Sequence, residues 1–343
     1  MKRNVRTALA LLVVLAMAAM VLAGCTTPAK DTTGGTTPPP KKAALKAAMV
    51  TDVGGLGDKS FNDLSFAGLE KAKADLGAEI KVLESKELAD YETNLTNLAN
   101  AGYSPIFAVG FLMTDATAKI AKQYPKVNFG GIDIFFNDPV EKNVVGLTFK
   151  EQEASYLAGV VAGLATKDKF DARLNAENVI GFVGGMPIPP VQKFEAGFIA
   201  GAKSVNPSVK VISLYAGKFD DQAKGKELGL SLISQKCDVI FAAAGQTGIG
   251  TFTACQESKK ALFIGVDADQ FLTLTNPGDT ILTSAVKKID NAVFKTVESA
   301  SKGQSKGSQN VAFGLGEGGR GRAPATDLGA EGADADQAGG AQG

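Results

Sequence analysis

The sequence predicts an α/β protein made of two doubly wound, Rossmann-like lobes, each built on a parallel sheet. The chain has 343 residues, 45% of them hydrophobic, which exceeds one ordinary domain and suffices for two cores. Short apolar runs alternate with segments whose apolar residues recur every three or four positions. Apolar strands separated by helices are typical of parallel sheets covered on both faces. Ten such strands exceed one sheet of usual size, so we expect two sheets.

The predicted strands form two groups of five along the chain. The first group covers residues 45–51, 79–83, 105–109, 128–132 and 144–148. The second group covers residues 179–183, 209–214, 239–243, 262–266 and 281–285. Helix-length amphipathic segments lie between most of them. From Gly314 onward large apolar residues almost disappear, so we expect residues 318–343 to form a disordered or atypical tail.

The N-terminus has the pattern of a secretory signal. A basic start is followed by an apolar run over residues 8–22 and by small residues before Cys25. Residues 21–25 resemble a bacterial lipobox, so we predict a signal peptide over residues 1–24 and a lipid on Cys25. The alternative is an ordinary signal peptide with an incidental cysteine. Residues 25–43 are rich in Thr, Pro and Gly, which predicts a flexible tether to the membrane.

Composition excludes several classes of function. Lys+Arg and Asp+Glu both number 36, so the basic excess of a nucleic-acid binder is lacking. The sequence has no histidine, which removes the commonest general base and the histidine metal sites. We predict no catalytic group, no metal and no cofactor. Cys237 and Cys255 allow one disulfide by count, but we favour two unpaired core residues.

Ligands of open parallel sheets bind beyond the carboxyl ends of the strands. This rule identifies the segments that follow the predicted strands as the candidate site. They are residues 52–62, 110–115, 133–136, 184–194, 216–221, 244–248, 267–270 and 286–287. Two facing lobes would bring these segments together in one cleft.

The first of these segments is glycine-rich but is no phosphate-binding loop. Asp58 stands where a Walker loop needs glycine, and the glycines do not match a dinucleotide fingerprint. We predict Ser60 as a helix N-cap, with Asp63 completing a weak capping box, and we predict Asp115 as the N-cap of a later helix. Phe61 follows the predicted cap, and its ring points either into a cleft or into the helix core.

Aromatic and charged residues in the other segments suggest a flat, hydroxyl-bearing ligand. Phe194 and Phe219 would sandwich a heterocycle or else pack between the lobes. The carboxylates of Asp52, Asp133 and Asp267 follow strands and suit vicinal hydroxyls. The backbone at Gly245 is a further candidate: it would contact a ligand hydroxyl or else allow close packing of helix and sheet. Lys287 is another: it would donate to a ribose oxygen or else be a solvated lysine.

Several blocks resemble the basic membrane protein family, whose members are lipoproteins that serve ABC transporters as purine-nucleoside receptors. The opening block is VTDVGGLGDKSFN, residues 50–62. The other similar blocks follow in the same order as in the family. They lie at residues 111–116, 184–186, 194–198, 215–226, 264–270 and 283–287. The similarity covers about residues 46–317. The family usually continues past residue 315 with a closing helix, where this chain has a Gly/Ala/Asp-rich tail.

The resemblance implies a type I periplasmic-binding-protein fold, with two lobes joined by three crossovers. We accordingly expect residues 44–147 and 286–317 in one lobe and residues 148–285 in the other. The implied ligand-binding residues are Asp52, Phe61, Asn62, Asp133, Phe194, Phe219, Gly245, Asp267 and Lys287. The resemblance implies that Phe61 and Phe219 would stack on the base, with Phe194 nearby, and that Asn62 and Asp133 would contact polar edges of the base or ribose. The residues implied to hold the ribose are Asp52, Gly245, Asp267 and Lys287.

The implied function is the capture of purine nucleosides by hinge closure for an ABC permease, on the outer face of the cell membrane. Three alternatives remain open at this stage. The same fold serves sugar or signalling receptors; paired acids also occur in nucleoside hydrolases; and a surface adhesin needs no small ligand.

Overall fold

The computed structural model describes residues 45–137, 140–305 and 307–317. The predicted signal peptide, the lipidated Cys25, the tether and the tail over residues 318–343 lie outside these ranges. No helix in the described ranges combines the length and apolarity needed to cross a bilayer.

The first sheet has six parallel strands in the order β11-β5-β4-β3-β1-β2. The strands are β1 (Lys46–Val50), β2 (Glu79–Leu83), β3 (Ile106–Val109), β4 (Phe129–Ile132), β5 (Val144–Phe149) and β11 (Gln309–Phe313). The central strands β3 and β4 are fully buried, and β1 is buried except at Lys46, as their continuous apolar runs predict. Strand β11 was not predicted from the sequence; it lies at the sheet edge and pairs with β5 from Gln309 to Phe313.

The second sheet has five parallel strands in the order β10-β9-β8-β6-β7. The strands are β6 (Val179–Gly184), β7 (Lys210–Tyr215), β8 (Cys237–Ala243), β9 (Leu262–Asp267) and β10 (Ile281–Val286). All ten predicted strands are therefore present, and the prediction of two parallel-sheet lobes is confirmed.

Nine α-helices in the described ranges connect these strands. They are α1 (Phe61–Leu76), α2 (Asp90–Asn100), α3 (Thr114–Gln123), α4 (Glu151–Asp168), α5 (Pro189–Val205), α6 (Gln222–Ser234), α7 (Gln246–Ser258), α8 (Gln270–Thr273) and α9 (Ile289–Ser301). Because α3 begins at Thr114, Asp115 lies inside its first turn, and the prediction of Asp115 as an N-cap is wrong.

The chain passes between the lobes at the ends of β5 and β10. After β5, helix α4 packs against α5 and β10 on the second sheet. After β10, helix α9 returns and packs against α1 on the first sheet. After β11, the backbone N–H of Leu315 donates to Glu153 of α4, so the described chain reaches the second lobe again.

Each sheet has its own hydrophobic core. Met49, Leu69 and Phe107 lie in the core of the first sheet. Phe182 and Phe241 lie on one face of the second sheet, and a further cluster covers its other face. Cys237 and Cys255 belong to that last cluster, where both are buried and unpaired, as the sequence analysis favoured.

Candidate functional site

A cleft with about 600 Å³ of empty space lies where the carboxyl ends of both sheets face each other. All nine ligand-binding residues predicted from the sequence line it: Asp52, Phe61, Asn62, Asp133, Phe194, Phe219, Gly245, Asp267 and Lys287. The rule that ligands bind beyond the strand ends therefore located the cleft correctly.

Asp58 also lines the cleft, although its sequence pattern did not predict it as a site residue. Its Oδ1 accepts the backbone N–H groups of Ser60 and Asp63, and its Oδ2 accepts that of Asn62. Asp58 therefore satisfies the open N–H groups at the start of α1. Ser60 occupies the N-cap position as predicted, but its side chain makes no capping bond to the helix.

Asn62 forms a bridge between two buried carboxylates. Its Nδ2 donates to Asp52 Oδ1 at 2.9 Å and to Asp58 Oδ2 at 3.1 Å. The backbone N–H of Gly54 also donates to Asp52 Oδ1. Gly54 has no room for a side chain here, since an added Cβ would lie 2.9 Å from that oxygen. The glycine at this position thus lets the loop fold tightly over the carboxylate.

Burial changes the acidity of these carboxylates. Loss of hydration raises the pKa of Asp52 to about 6, although hydrogen bonds from Asn62 and Gly54 oppose the change. The same desolvation raises the pKa of Asp58 to about 7. Both groups therefore titrate much closer to neutrality than an exposed aspartate does.

Ser60 contributes a contact between the lobes. Its hydroxyl donates to Asp267 Oδ2 at 2.7 Å. Desolvation also raises the pKa of Asp267 to about 6, while the nearby Lys287 charge opposes the rise. Two further contacts cross the cleft: Gln246 Nε2 donates to the Gly54 carbonyl, and Thr273 Oγ1 donates to the Lys59 carbonyl. The lobes are thus closed on each other.

Asp133 and Asp267 occupy equivalent positions in the two sheets. Each follows or ends a strand, and each has a φ of 60°. Left-handed backbone is uncommon outside glycine, and such strain is concentrated at functional sites. In both cases the bend at the strand end is accompanied by a buried carboxylate that lines the cleft.

Lys287 is a buried cation at the end of the cleft nearest the passage from β10 to α9. Its Nζ lies 2.6 Å from Asp133 and 3.3 Å from Glu151. Burial alone would lower the pKa of Lys287, but the charges of Asp133, Glu151 and Asp267 more than offset it and raise that pKa. The alternative of a solvated lysine is wrong, because its side chain is only 4% exposed.

The aromatic residues occupy different parts of the cleft. Lys287 Nζ lies 5.1 Å from the centre of the Phe61 ring and 5.5 Å from that of Phe194. Phe194 is buried and also packs edge-on against Phe241. Phe219 is half-buried and covers Gly185, where an added Cβ would lie 2.3 Å from the ring. Phe61 both lines the cleft and packs against the core of the first sheet.

Three polar atoms of the cleft residues have no hydrogen-bond partner. They are Asn62 Oδ1, Asp133 Oδ1 and Asp267 Oδ1. All three are acceptors, and all three are buried. Buried polar atoms normally have partners, so these three acceptors are candidate contacts for the donors of a ligand. Within the described ranges no group of acidic or cysteine side chains is suited to hold a metal ion.

Comparison with known proteins gives consistent matches across the globular part. The profile of the Bmp family, described as ABC transporter substrate-binding protein, PnrA-like, matches residues 45–322. A CD4+ T-cell-stimulating antigen of Listeria monocytogenes is 39% identical over 285 residues, 78% of this chain and 77% of the relative. The ABC transporter nucleoside-binding protein BmpA of Lactococcus lactis is 36% identical over 80% of each chain.

Two further matches bear on anchoring and fold. An uncharacterized lipoprotein of Pyrococcus furiosus is 38% identical over 288 residues, 81% of this chain and 69% of the relative. A crystal structure of an ABC transporter solute-binding protein from Aeropyrum pernix superimposes with a TM-score of 0.75 at 31% identity, covering 82% of this chain and 76% of that one.

Proposed function

The chain belongs to the Bmp family of PnrA-like ABC transporter substrate-binding proteins, and on this basis we propose that it captures purine nucleosides in the cleft for import. The family resemblance found in the sequence is thereby confirmed. Proteins of this family bind a substrate and deliver it to a permease, so the chain is a binding protein and not an enzyme.

The unpartnered acceptors of the cleft carry the proposal. A nucleoside brings hydroxyl and N–H donors on a flat ring and a sugar, and Asn62 Oδ1, Asp133 Oδ1 and Asp267 Oδ1 are acceptors without donors. A buried acceptor without a partner costs about 1–3 kcal/mol. A ligand that supplies the missing donors therefore gains affinity.

One end of the cleft suits hydroxyl groups. Lys287 offers a cationic donor, and the free oxygen of Asp133 offers an acceptor close to it. A hydroxyl both donates and accepts, so it satisfies the two together. The free oxygen of Asp267 provides a second acceptor for a vicinal diol. We assign this end to the ribose.

The aromatic residues and the Asn62 region suit a heterocyclic base. We propose that Phe61 and Phe219 contact the faces of the base, with Phe194 nearby and the backbone of Gly245 beside the ribose. Each aromatic contact adds about 0.5–1.5 kcal/mol beyond area burial. The name of the Lactococcus lactis relative, a nucleoside-binding protein at 36% identity, supports this assignment.

We propose that capture proceeds by closure of two lobes, residues 44–147 with 286–317 against residues 148–285. Ser60, Gln246 and Thr273 make hydrogen bonds between them. A ligand that contacts both sides stabilises the closed form by its differential affinity. The permease then recognises the closed form.

We further propose that a lipid on Cys25 anchors the protein to the outer face of the cell membrane. The signal and lipobox pattern of residues 1–25 supports this, and so does the lipoprotein relative of Pyrococcus furiosus. In cells, Cys25→Ser should move the protein from the membrane fraction to the soluble fraction. A variant that stays in the membrane fraction would contradict the anchor.

Calorimetric titration tests the ligand class directly. The chain lacks tryptophan, so heat is a better signal than intrinsic tryptophan fluorescence. We expect inosine, guanosine or adenosine to bind, and ribose and galactose to give no heat. Binding of sugars without nucleosides would overturn the proposal.

A matched pair of variants tests the location of binding. Asp267→Asn should weaken nucleoside binding at least tenfold, because Asp267 lines the cleft. Asp269→Asn is the control, since Asp269 instead accepts the Phe271 N–H at the start of α8. Equal effects in both variants would place binding elsewhere.

A further inference from the structure

Asp58 makes one contact that helix capping does not require. Its carboxylate is 1% exposed and accepts three backbone N–H groups at the start of α1. The fourth bond comes from the side chain of Asn62, at 3.1 Å from Asp58 Oδ2. Asp58 therefore connects the helix start to a residue of the cleft.

This contact fixes which atom Asn62 presents to a ligand. The two N–H bonds of its amide are both used, one on Asp52 and one on Asp58. A reversed amide would place Oδ1 against two carboxylate oxygens, so the orientation follows from the hydrogen-bond network. Only Oδ1 remains, and it has no partner.

The two ends of the cleft consequently differ in chemistry. The Lys287 end combines a donor with acceptors. At the other end, Asn62 Oδ1 is an acceptor, and the structure shows donors on only one oxygen of Asp52. Asn62 Oδ1 and the second oxygen of Asp52 are acceptors, and they favour a ligand group that donates, such as a ring N–H or an amino group.

We propose that Asp58 is a positioning residue that sets ligand specificity, because it holds the Asn62 amide with its oxygen toward the ligand and thereby selects purines that carry an N–H or amino group on the six-membered ring. This inference rests on the proposed function and deepens it. Purine riboside lacks such a group and presents a ring-nitrogen acceptor instead, so it is the discriminating probe against inosine.

Asp63 shows that capping alone does not explain Asp58. Its carboxylate accepts the N–H groups of Gly57 and Lys59 in the same loop. It makes no side-chain bond to Asn62. Asp63 is thus a matched acid with a similar backbone role, and Asp63→Asn is the control for Asp58→Asn.

The experiment measures dissociation constants of inosine and purine riboside by calorimetry at pH 8, where Asp58 is ionised. In the wild type, inosine should bind at least tenfold more tightly, as expected for loss of a hydrogen bond to a buried acceptor. Asp58→Asn replaces a charged acceptor of Asn62 Nδ2 with a weaker neutral one, so that Asp52 alone holds the Asn62 amide firmly and its oxygen is less well fixed toward the ligand. The inosine preference should then fall toward about onefold.

Asp63→Asn should keep the wild-type preference. If Asp58→Asn does not fold, Asp58→Ser replaces it, because serine caps helices well but is too short to hold the Asn62 amide. This variant should also reduce the preference. Thermal unfolding of every variant confirms that the folded protein is being titrated.

The outcomes separate the two proposals. A wild type that binds no purine nucleoside overturns the proposed function and this inference together. A wild type that binds both ligands equally, or Asp58 variants that keep the full preference, overturns only the role of Asp58. The same holds if Asp63→Asn loses the preference as strongly as Asp58→Asn.

Discussion

The hydroxyl of Ser60 donates a 2.7 Å hydrogen bond to Oδ2 of Asp267, and the two residues belong to opposite lobes. Ser60 precedes α1 beside the first sheet, and Asp267 ends β9 in the second. The other oxygen of Asp267, Oδ1, has no hydrogen-bond partner. One carboxylate therefore both bonds to the opposite lobe and leaves an acceptor in the cleft.

Ser60→Ala should weaken nucleoside binding about 10- to 150-fold, because a hydrogen bond to a charged group contributes about 1.5–3 kcal/mol to the closed form. Calorimetry gives the affinity. Ser65→Ala is the control, since Ser65 bonds only to the Phe61 carbonyl within its own helix. Unchanged affinity in Ser60→Ala would mean that this contact does not contribute to closure.

Phe219→Ala should reduce affinity about ten- to hundredfold with little loss of stability, because the ring is half-buried and lies in a loop. Titration with inosine and thermal unfolding measure the two effects. Phe170→Ala removes a 49% exposed ring that does not line the cleft, and it should change neither quantity. Equal affinity in both variants would remove the stacking role.

Nucleoside affinity should rise between pH 5 and pH 7.5. Burial raises the pKa of Asp52 and Asp267 to about 6, and a ligand that donates hydrogen bonds favours their ionised forms. Binding near pH 6 should therefore release protons, which calorimetry detects by repeating the titration in buffers of different ionisation enthalpy. A flat affinity profile would contradict contact with these carboxylates.

The stability of the ligand-free protein should show the opposite trend. Desolvation raises the pKa of Asp58 to about 7, whereas aspartates of an unfolded chain titrate near pH 4. The contribution of Asp52, Asp58 and Asp267 to stability is thus present below about pH 4 and is lost as the pH rises through 6 to 7. Urea denaturation of Asp58→Asn should show a weaker fall over this range than the wild type.

Lys287→Met should lower the free energy of unfolding by about 3–5 kcal/mol, because it leaves Asp133 buried without its cation and leaves Glu151 with only the partly exposed Lys193. Urea denaturation measures the loss. Lys288→Met, at the neighbouring lysine, should cost much less. Adding Asp133→Asn to Lys287→Met should recover part of the lost stability. If it recovers none, the broken ion pair between Lys287 and Asp133 is not the cause of the loss.

The position of the cleft was predictable from the sequence, because the ends of strands can be recognised from short local patterns. Continuous apolar runs predicted ten strands, and the residues after them predicted the lining of the cleft. Strand β11 was missed because Gln309 and Asn310 open a half-exposed edge strand that lacks the apolar run of a buried strand.

The network around α1 was not predictable in the same way. Ser60 fits an N-cap pattern locally, but its hydroxyl bonds to a residue 207 positions away. Asp58 takes over the capping, and Glu151 joins Lys287 from the start of α4. Such contacts depend on how two lobes meet, which no local pattern encodes.

The acceptors left open at Asn62, Asp133 and Asp267 have a consequence for the transport cycle. If the lobes close with no cargo inside, these atoms lose water and gain nothing in return. Without ligand, the equilibrium between the open and closed forms would then favour the open form. A ligand with several hydrogen-bond donors would shift it toward the closed form. On the proposal that the permease recognises the closed form, it would then seldom meet an empty receptor, which would limit ATP hydrolysis without transport.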